Sequence, residues 1–182
     1  DVDPDGLLEY SVVYTDRSVN HMSARFRQAM LDIHATLTDV YGAHRAVIVP
    51  GGGSFGMEAV ARQFARAERC LVIRNGWFSY RWSQILEIGS LSEEVTVLKA
   101  RAVEDGVQSA FAPAPIEEVC ETIERERPAV VFAPHVETSA GLMLPDDYLK
   151  AVADAVHAAG GIGLPAAAGH RGLPLGDLPG GK

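Results

Sequence analysis

Three consecutive glycines and a serine, Gly51, Gly52, Gly53 and Ser54, form the stretch of this chain best suited to chemistry. Glycines let the backbone bend tightly and approach a ligand closely. The residues that follow predict a helix, whose first N–H groups have no helical partner and carry the positive end of the helix dipole. Such donors favour an anion, most often phosphate. A plain chain reversal before the helix is the other interpretation that this stretch leaves open.

A second candidate stretch holds four aromatic residues within six positions: Trp77, Phe78, Tyr80 and Trp82. They follow an apolar run, Cys70-Leu71-Val72-Ile73, that predicts a buried strand. Ligands of open α/β sheets bind beyond the carboxyl ends of the strands, where an aromatic ring can stack on a flat ligand ring. The aromatic residues could equally cover the core or a subunit contact, and we expect most of the four to pack.

A third candidate stretch places His135, Glu137, Thr138 and Ser139 directly after the apolar run 129–132. A lone histidine is more often structural, but a group of polar side chains after a predicted strand again indicates the ligand edge of a sheet.

The elements that must position these residues alternate along the chain. Apolar runs predict strands, and helical periodicity predicts helices. The predicted strands are 46–49, 70–73, 94–98 and 129–132; the predicted helices cover 23–41, the segment after Ser54, 116–125 and the segment from Asp146 to Ala159. This alternation predicts an α/β fold with three layers: a mostly parallel sheet with helices on both faces.

The two ends of the chain differ from this pattern. Residues 1–22 read as an N-terminal arm and residues 23–162 as the α/β domain. Residues 163–182 are rich in glycine and proline, and Pro165 is unfavourable in a central strand, so we expect an irregular tail.

Composition excludes several classes of function. The net charge of −8 over 182 residues argues against nucleic acid and anionic membrane surfaces as partners. No apolar run is long enough to cross a bilayer and no signal segment is visible, so the expected location is cytoplasmic. Cys70 and Cys120 are far apart without a CxxC pattern, which predicts buried thiols and no metal site.

Together, the motifs at 50–59, 74–81 and 135–141 resemble the class V (fold type I) pyridoxal-phosphate-dependent aminotransferases of the alanine–glyoxylate/serine–pyruvate type. The resemblance covers about residues 5–162 and implies the front part of a fold type I large domain. It implies pyridoxal 5'-phosphate as cofactor and a homodimer. The implied substrates are a small amino acid of the alanine or serine type and a 2-oxo acid of the glyoxylate or pyruvate type. Cysteine desulfurases, also class V, are a weaker alternative, because they need a reactive cysteine on a mobile loop.

The resemblance implies five cofactor-binding residues: Gly52, Gly53, Ser54, Phe78 and Thr138. The glycines and Ser54 would meet the cofactor phosphate, Phe78 would stack on the pyridine ring, and Thr138 would contact the ring oxygen. His135 and Glu137 would shape the same site.

The sequence differs from the family where catalysis is concerned. The family uses a Schiff-base lysine and an aspartate that keeps the pyridine nitrogen protonated. The aspartate is expected near Gly163-Leu164-Pro165, and Lys99, Lys150 and Lys182 match no family lysine motif. We therefore expect a chain truncated after about residue 162, without the catalytic lysine. It is either a transaminase by family or a catalytically inactive remnant that keeps a phosphate-binding, cofactor-binding or interaction surface.

Overall fold

The structure is a computed structural model that describes residues 24–166. The chain divides into two units, Asp1–Ile48 and Val49–Lys182. In the first unit, helix α1 (Ala24–Tyr41) confirms the helix predicted at 23–41, of which residue 23 lies outside the described residues. None of the residues of α1 is buried.

The second unit alternates helices with strands. Its helices are α2 (Gly53–Phe64), α3 (Trp77–Ile88), α4 (Ile116–Glu126) and α5 (Asp146–Ala158). The strands are β1 (Cys70–Arg74), β2 (Val95–Lys99), β3 (Arg101–Ala102), β4 (Phe111–Ala112), β5 (Val130–Pro134), β6 (Val136–Glu137), β7 (Leu142–Met143) and β8 (Ile162–Ala166).

Four of these strands form one parallel sheet in the order β2-β1-β5-β8. Strand β1 has a neighbour on each side: Cys70 of β1 lies opposite Val95 of β2 on one side and Val130 of β5 on the other. The short strands form two antiparallel pairs, β3 with β4 and β6 with β7. The predicted α/β class with a mostly parallel sheet is confirmed.

Strand alternation divides the buried side chains between two faces of the sheet, because successive residues of a strand point to opposite sides. Leu71 and Ile73 pack with α4 and α5, whereas Cys70 and Val72 pack with α2 and α3. Helices therefore cover both faces, which completes the predicted three layers. Burial on both faces also explains why β1 is an uninterrupted apolar run.

The strand predicted at 46–49 is wrong. Val47 is 85% exposed, and residues 46–49 form no regular secondary structure and pair with no strand that the structure describes. An apolar, β-branched run favours extended backbone, but it becomes a strand only where a neighbouring strand satisfies its N–H and C=O groups.

The irregular tail predicted from residue 163 is wrong for its first residues. β8 continues the alternation and pairs with β5 from Ile162 to Ala166. Pro165 is tolerated because β8 is an edge strand of the described sheet, where one missing N–H removes no central ladder bond. Residues 167–182 lie outside the described part of the chain.

None of the helices between residues 24 and 166 has the length and apolar character needed to cross a membrane.

Substitution of the two tryptophans tests the layered core. Trp82 is 2% exposed and stacks on Phe132 of β5 with ring centroids 4.3 Å apart, whereas Trp77 is 60% exposed. We expect Trp82→Ala to lower the free energy of unfolding by about 3–5 kcal/mol and Trp77→Ala by less than about 1 kcal/mol. Urea unfolding measures both, and equal losses would contradict the packing described.

Candidate functional site

The candidate site lies beyond the carboxyl ends of β1 and β5. The chain passes from β1 to β2 on one side and returns to β5 on the other, so the strand order reverses between β1 and β5. Ligands of open α/β sheets bind in the crevice at such a reversal. The motif 74–81 follows β1 and the motif 135–141 follows β5, so the topology brings two of the three sequence motifs to this edge.

A buried carboxylate joins the two motifs. Glu137 is 1% exposed, and its oxygens accept hydrogen bonds from the backbone N–H of Phe78 at 3.1 Å and of Ser79 at 2.8 Å. The hydroxyls of Ser79 and Ser139 donate to the same carboxylate at 2.6 and 2.5 Å. One side chain after β5 therefore fixes the first turn of α3, more than fifty residues away in the chain.

The first three N–H groups of α3 are all satisfied by side chains of this cluster. Ser139 Oγ accepts the N–H of Trp77 at 2.8 Å, and Glu137 accepts the next two. Ser79 Oγ also accepts the N–H groups of Asn75 and Gly76, at 2.9 and 3.0 Å. A negative charge at a helix N-terminus is stabilised by the helix dipole, so the chain's own carboxylate closes the N-terminus of α3.

Burial raises the pKa of Glu137, but the hydrogen bonds from Ser139, Ser79 and Phe78 lower it by more. The net pKa lies below the usual range of a glutamate, because these donors favour the ionised form. Glu137 is therefore a carboxylate, and not a proton donor, at neutral pH.

Gly76 makes this close approach feasible. A Cβ at this position would lie 2.5 Å from Ser139 Oγ and 2.7 Å from Glu137 Cγ. Its backbone is extended, with φ 173°, so the requirement for glycine comes from space and not from conformation.

The N-terminus of α2, unlike that of α3, has no described side chain that accepts its first N–H groups. Its N-cap, Gly52, makes no side-chain cap, and its first turn holds no acidic residue, whereas α4 and α5 each carry two. No acceptor among the described residues takes the N–H groups of Gly53 and Ser54. A Cβ at Gly52 or Gly53 would meet open space. This helix start therefore offers free donors to a ligand, as the sequence analysis predicted for the glycine loop, residues 51–54.

A contact between helices places this open helix start at the same edge of the sheet. The guanidinium of Arg81, in the second turn of α3, donates a hydrogen bond to Ser54 Oγ in the first turn of α2. The glycine loop therefore lies beside the helix that carries the aromatic residues.

The four aromatic residues have different surroundings. Trp82 packs in the core, and Tyr80 is half-buried beneath the Arg74 guanidinium, 5.1 Å from its ring centroid. Trp77 and Phe78 are exposed, at 60% and 41%, so these two aromatic residues do not pack in the core of the chain. Phe78, one helical turn before Arg81, is thus available to a ligand.

Two further predicted site residues flank β6: His135 precedes this strand, and Thr138 lies in the turn between β6 and β7. Thr138 is exposed in its turn, between Glu137 and Ser139, and His135 is half-buried with its carbonyl accepting the N–H of Leu144 at 2.8 Å. The structure thus places Thr138 in the segment that caps α3, at the edge that also carries Phe78.

Sequence reasoning missed the roles of Ser79, Gly76 and Arg81. Glycine is an accepted N-cap residue, so Gly76 could have indicated the start of α3, but the partner of Arg81 lies 27 positions away and has no local signature. Asn75 is also buried at this edge, and its side-chain amide has no hydrogen-bond partner within residues 24–166.

Within residues 24–166, neither the cysteines nor the potential metal ligands form a second site. The described residues contain no group of three or more metal-binding side chains. Burial raises the pKa of the Cys70 thiol and of the Cys120 thiol, which keeps both protonated. Neither thiol suits the nucleophile of a cysteine desulfurase.

Known structures resemble this chain, whereas neither a protein-family model nor a curated protein matches it. Ureidoglycine–glyoxylate aminotransferase from Bacillus subtilis is 22% identical, with a TM-score of 0.66 over 84% of this chain and 36% of that one. Aspartate aminotransferase from Thermus thermophilus is 25% identical (TM-score 0.63, 84% and 40% covered). Alanine–glyoxylate aminotransferase from Nostoc sp. is 23% identical (TM-score 0.62, 80% and 36% covered).

These similarities define a class at the level of the fold: this chain has the α/β fold of the aminotransferases. The resemblance to class V pyridoxal-phosphate-dependent aminotransferases, predicted from the three motifs, is thereby confirmed as a structural resemblance. The chain spans 36% to 40% of the length of these three proteins.

Replacement of Gly76 tests the closure of α3. Gly76→Ala forces Glu137 and Ser139 to move, and we expect it to lower the free energy of unfolding by about 1–3 kcal/mol. Gly56→Ala, inside α2 where a Cβ meets open space, should raise it by about 0.5–1 kcal/mol. Chemical unfolding of both variants measures the contrast, and a neutral Gly76→Ala would rule out the tight contact.

The ionised Glu137 also predicts a pH dependence. Folding lowers the pKa of Glu137, so its carboxylate stabilises the folded state fully above the unfolded-state pKa of about 4.3. This stabilisation is lost as the pH falls through the pKa of Glu137 in the folded state. Glu137→Gln should cost about 1–3 kcal/mol at pH 7 and clearly less at pH 3. Urea unfolding at both pH values measures this difference, with Glu121→Gln on the exposed face of α4 as control. An equal cost at both pH values would contradict it.

Proposed function

We propose that this chain carries the cofactor cradle of a pyridoxal-phosphate-dependent aminotransferase, which moves an amino group between a small amino acid and a 2-oxo acid. The observation that carries the proposal is the contrast between two neighbouring helix starts. Glu137 closes the N-terminus of α3, whereas the N-terminus of α2 keeps free donors. A free helix N-terminus is a site for phosphate.

The chemistry of the donors suits a phosphate group. The N–H groups of Gly53 and Ser54, the Ser54 hydroxyl and the Arg81 guanidinium are all donors, and the space beside the glycines is open. We assign Gly52, Gly53 and Ser54 to the phosphate, Phe78 to stacking on the ring, and Thr138 to the ring oxygen, while His135 and Glu137 shape the site. The exposed ring of Phe78 supports its assignment.

Bound pyridoxal phosphate would supply the electron-withdrawing ring that transamination requires. The residues of this chain do the binding and orientation. The glycine loop holds the phosphate, Phe78 sets the plane of the ring, and Glu137 fixes the backbone of Phe78 by accepting its N–H at 3.1 Å. Because Glu137 is ionised and fully occupied by donors, it orients and does not transfer a proton.

A second candidate is a catalytically inactive protein that keeps the phosphate or cofactor site. The chain has three lysines, and Lys182 lies outside the described residues. Lys150 pairs with Asp154 at 2.5 Å on the exposed side of α5, and Lys99 is exposed at the last position of β2. The ion pair of Lys150 favours this candidate, because a lysine engaged on a helix surface is not presented to a ligand.

We further propose that the protein acts as a homodimer with small amino acids and 2-oxo acids as its ligands. The exposed aromatic side chains Phe55 and Trp77 support a subunit contact, since burial of such rings stabilises interfaces. A cytoplasmic location stays a prediction from the composition.

The stacking assignment predicts a difference between adjacent aromatic residues. We expect Phe78→Ala to weaken the binding of pyridoxal 5'-phosphate about 10-fold, since stacking is worth roughly 0.5–1.5 kcal/mol beyond the area that it buries. Trp77→Ala should weaken it less than about 2-fold. Titration followed by cofactor absorbance measures both affinities. Equal effects of the two substitutions would refute the assignment of Phe78.

Borohydride reduction separates the two candidate functions. After addition of pyridoxal 5'-phosphate and reduction, a transaminase carries the cofactor covalently on a lysine, which mass spectrometry of the peptides detects. Binding without a lysine adduct would favour the inactive candidate. Failure of the wild-type protein to bind pyridoxal 5'-phosphate would contradict the transaminase and would also exclude an inactive protein that keeps the cofactor site.

A further inference from the structure

Arg81 forms no ion pair with a described carboxylate, as is also true of Arg66, Arg74 and Arg127. It differs from these three arginines because it contacts Ser54 at the start of α2. Four arginines form ion pairs: Arg62 with Glu58, Arg69 with Glu94, Arg101 with Glu118 and Arg125 with Glu126. Within residues 24–166, Arg81 pairs with no carboxylate, and its guanidinium donates instead to the hydroxyl of Ser54. Its positive charge is therefore not neutralised by the described part of the protein.

The bond from Arg81 determines what Ser54 can do. A serine hydroxyl has one hydrogen to donate and two lone pairs that accept. Because the guanidinium occupies a lone pair of Ser54 Oγ, the hydroxyl hydrogen is left to point at another acceptor. The guanidinium carries five N–H donors, of which this contact uses one. Arg81 and Ser54 together therefore present several donors and one full positive charge.

The position of Arg81 on α3 directs this charge towards the glycine loop. Phe78 and Arg81 are three residues apart, which places them on one helix face, about 4.5 Å apart along the axis. Arg81 reaches the first turn of α2, next to the free N–H groups of Gly53 and Ser54. One face of α3 thus carries the exposed ring of Phe78 and, one turn later, the guanidinium of Arg81, which contacts the start of α2.

We infer that Arg81 is the specificity-determining residue for the phosphate group at this site, because it orients the Ser54 hydroxyl as a donor and supplies the positive charge. The inference rests on the proposed function. Hydrogen bonds between a guanidinium and a phosphate are charge-assisted and are about twice as strong as neutral ones. Arg81 therefore favours ligands that carry a phosphate over the same ring without it.

The test compares the full chain and its variants with two probes, pyridoxal 5'-phosphate and pyridoxal, which differ only in the phosphate. We expect Arg81→Gln to weaken pyridoxal 5'-phosphate roughly 10- to 100-fold and to change pyridoxal by less than about 2-fold. Arg81→Lys keeps the charge but loses the planar fork, so it should recover part of the loss. Arg62→Gln, on the exposed face of α2 and paired with Glu58, is the matched control and should change neither probe.

Two further measurements keep the test decisive. The effects of Arg81→Gln and Ser54→Ala on pyridoxal 5'-phosphate should be strongly non-additive, because Arg81 acts partly through Ser54. Inorganic phosphate should compete with pyridoxal 5'-phosphate on the wild-type protein, and this measurement does not depend on the folding of any variant. Absence of competition by phosphate would overturn the inference.

The outcomes separate this inference from the proposed function. If the wild-type protein binds pyridoxal 5'-phosphate and Arg81→Gln weakens both probes equally, Arg81 is a structural residue; the inference then fails while the proposed function stands. If the wild-type protein binds neither probe, the proposed function fails and the inference fails with it.

Discussion

The hydrogen-bonded carboxylate of Glu137 is the interaction on which the rest of the site depends. It lies after β5, is shielded from solvent, and accepts the N–H groups of Phe78 and Ser79 at the start of α3. A buried charge is costly unless donors surround it, and here two hydroxyls and two backbone groups do so. The result is a rigid link between the ends of two neighbouring strands, and this link sets where the ring of Phe78 lies.

The N-terminus of α3 is occupied by Glu137, whereas the N-terminus of the neighbouring helix α2 is not occupied by any described side-chain anion. The contact between Arg81 and Ser54 holds the first turn of α2 beside α3, and the first turns of both helices carry the positive end of a helix dipole. The chain supplies its own anion to α3 but none to α2, whose first turn holds no acidic residue. Arg81 adds a further positive charge there by contacting Ser54. An external anion therefore has one favourable position at this edge.

The sequence predicted the buried strands of the fold, but it did not predict the contacts between the segments of the candidate site. Strands buried on both faces, such as 70–73 and 129–132, appear as continuous apolar runs, and the structure confirms both. The run 46–49 has the same composition but pairs with no described strand, and pairing is not encoded locally. Pro165 predicted a loop because proline is unfavourable in a central strand. The sequence does not show that β8 lies at the edge of the described sheet, where proline is tolerated. Glu137 was expected to shape the site, but its hydrogen-bond partners could not be predicted, since they lie 58 and 59 residues away.

The central claim is that residues 52–54 and 76–81 form one phosphate-binding edge. Hydrogen–deuterium exchange of the full chain, with and without pyridoxal 5'-phosphate, tests it most directly, because a ligand protects the N–H groups that it contacts. We expect slower exchange at residues 53–54 and in the first turns of α3. We expect no change at the opposite edge of the sheet, where Arg66, Arg69 and Arg127 line a cleft. Protection at that cleft, or unchanged exchange at the glycine loop, would contradict a phosphate site at residues 52–54 and 76–81.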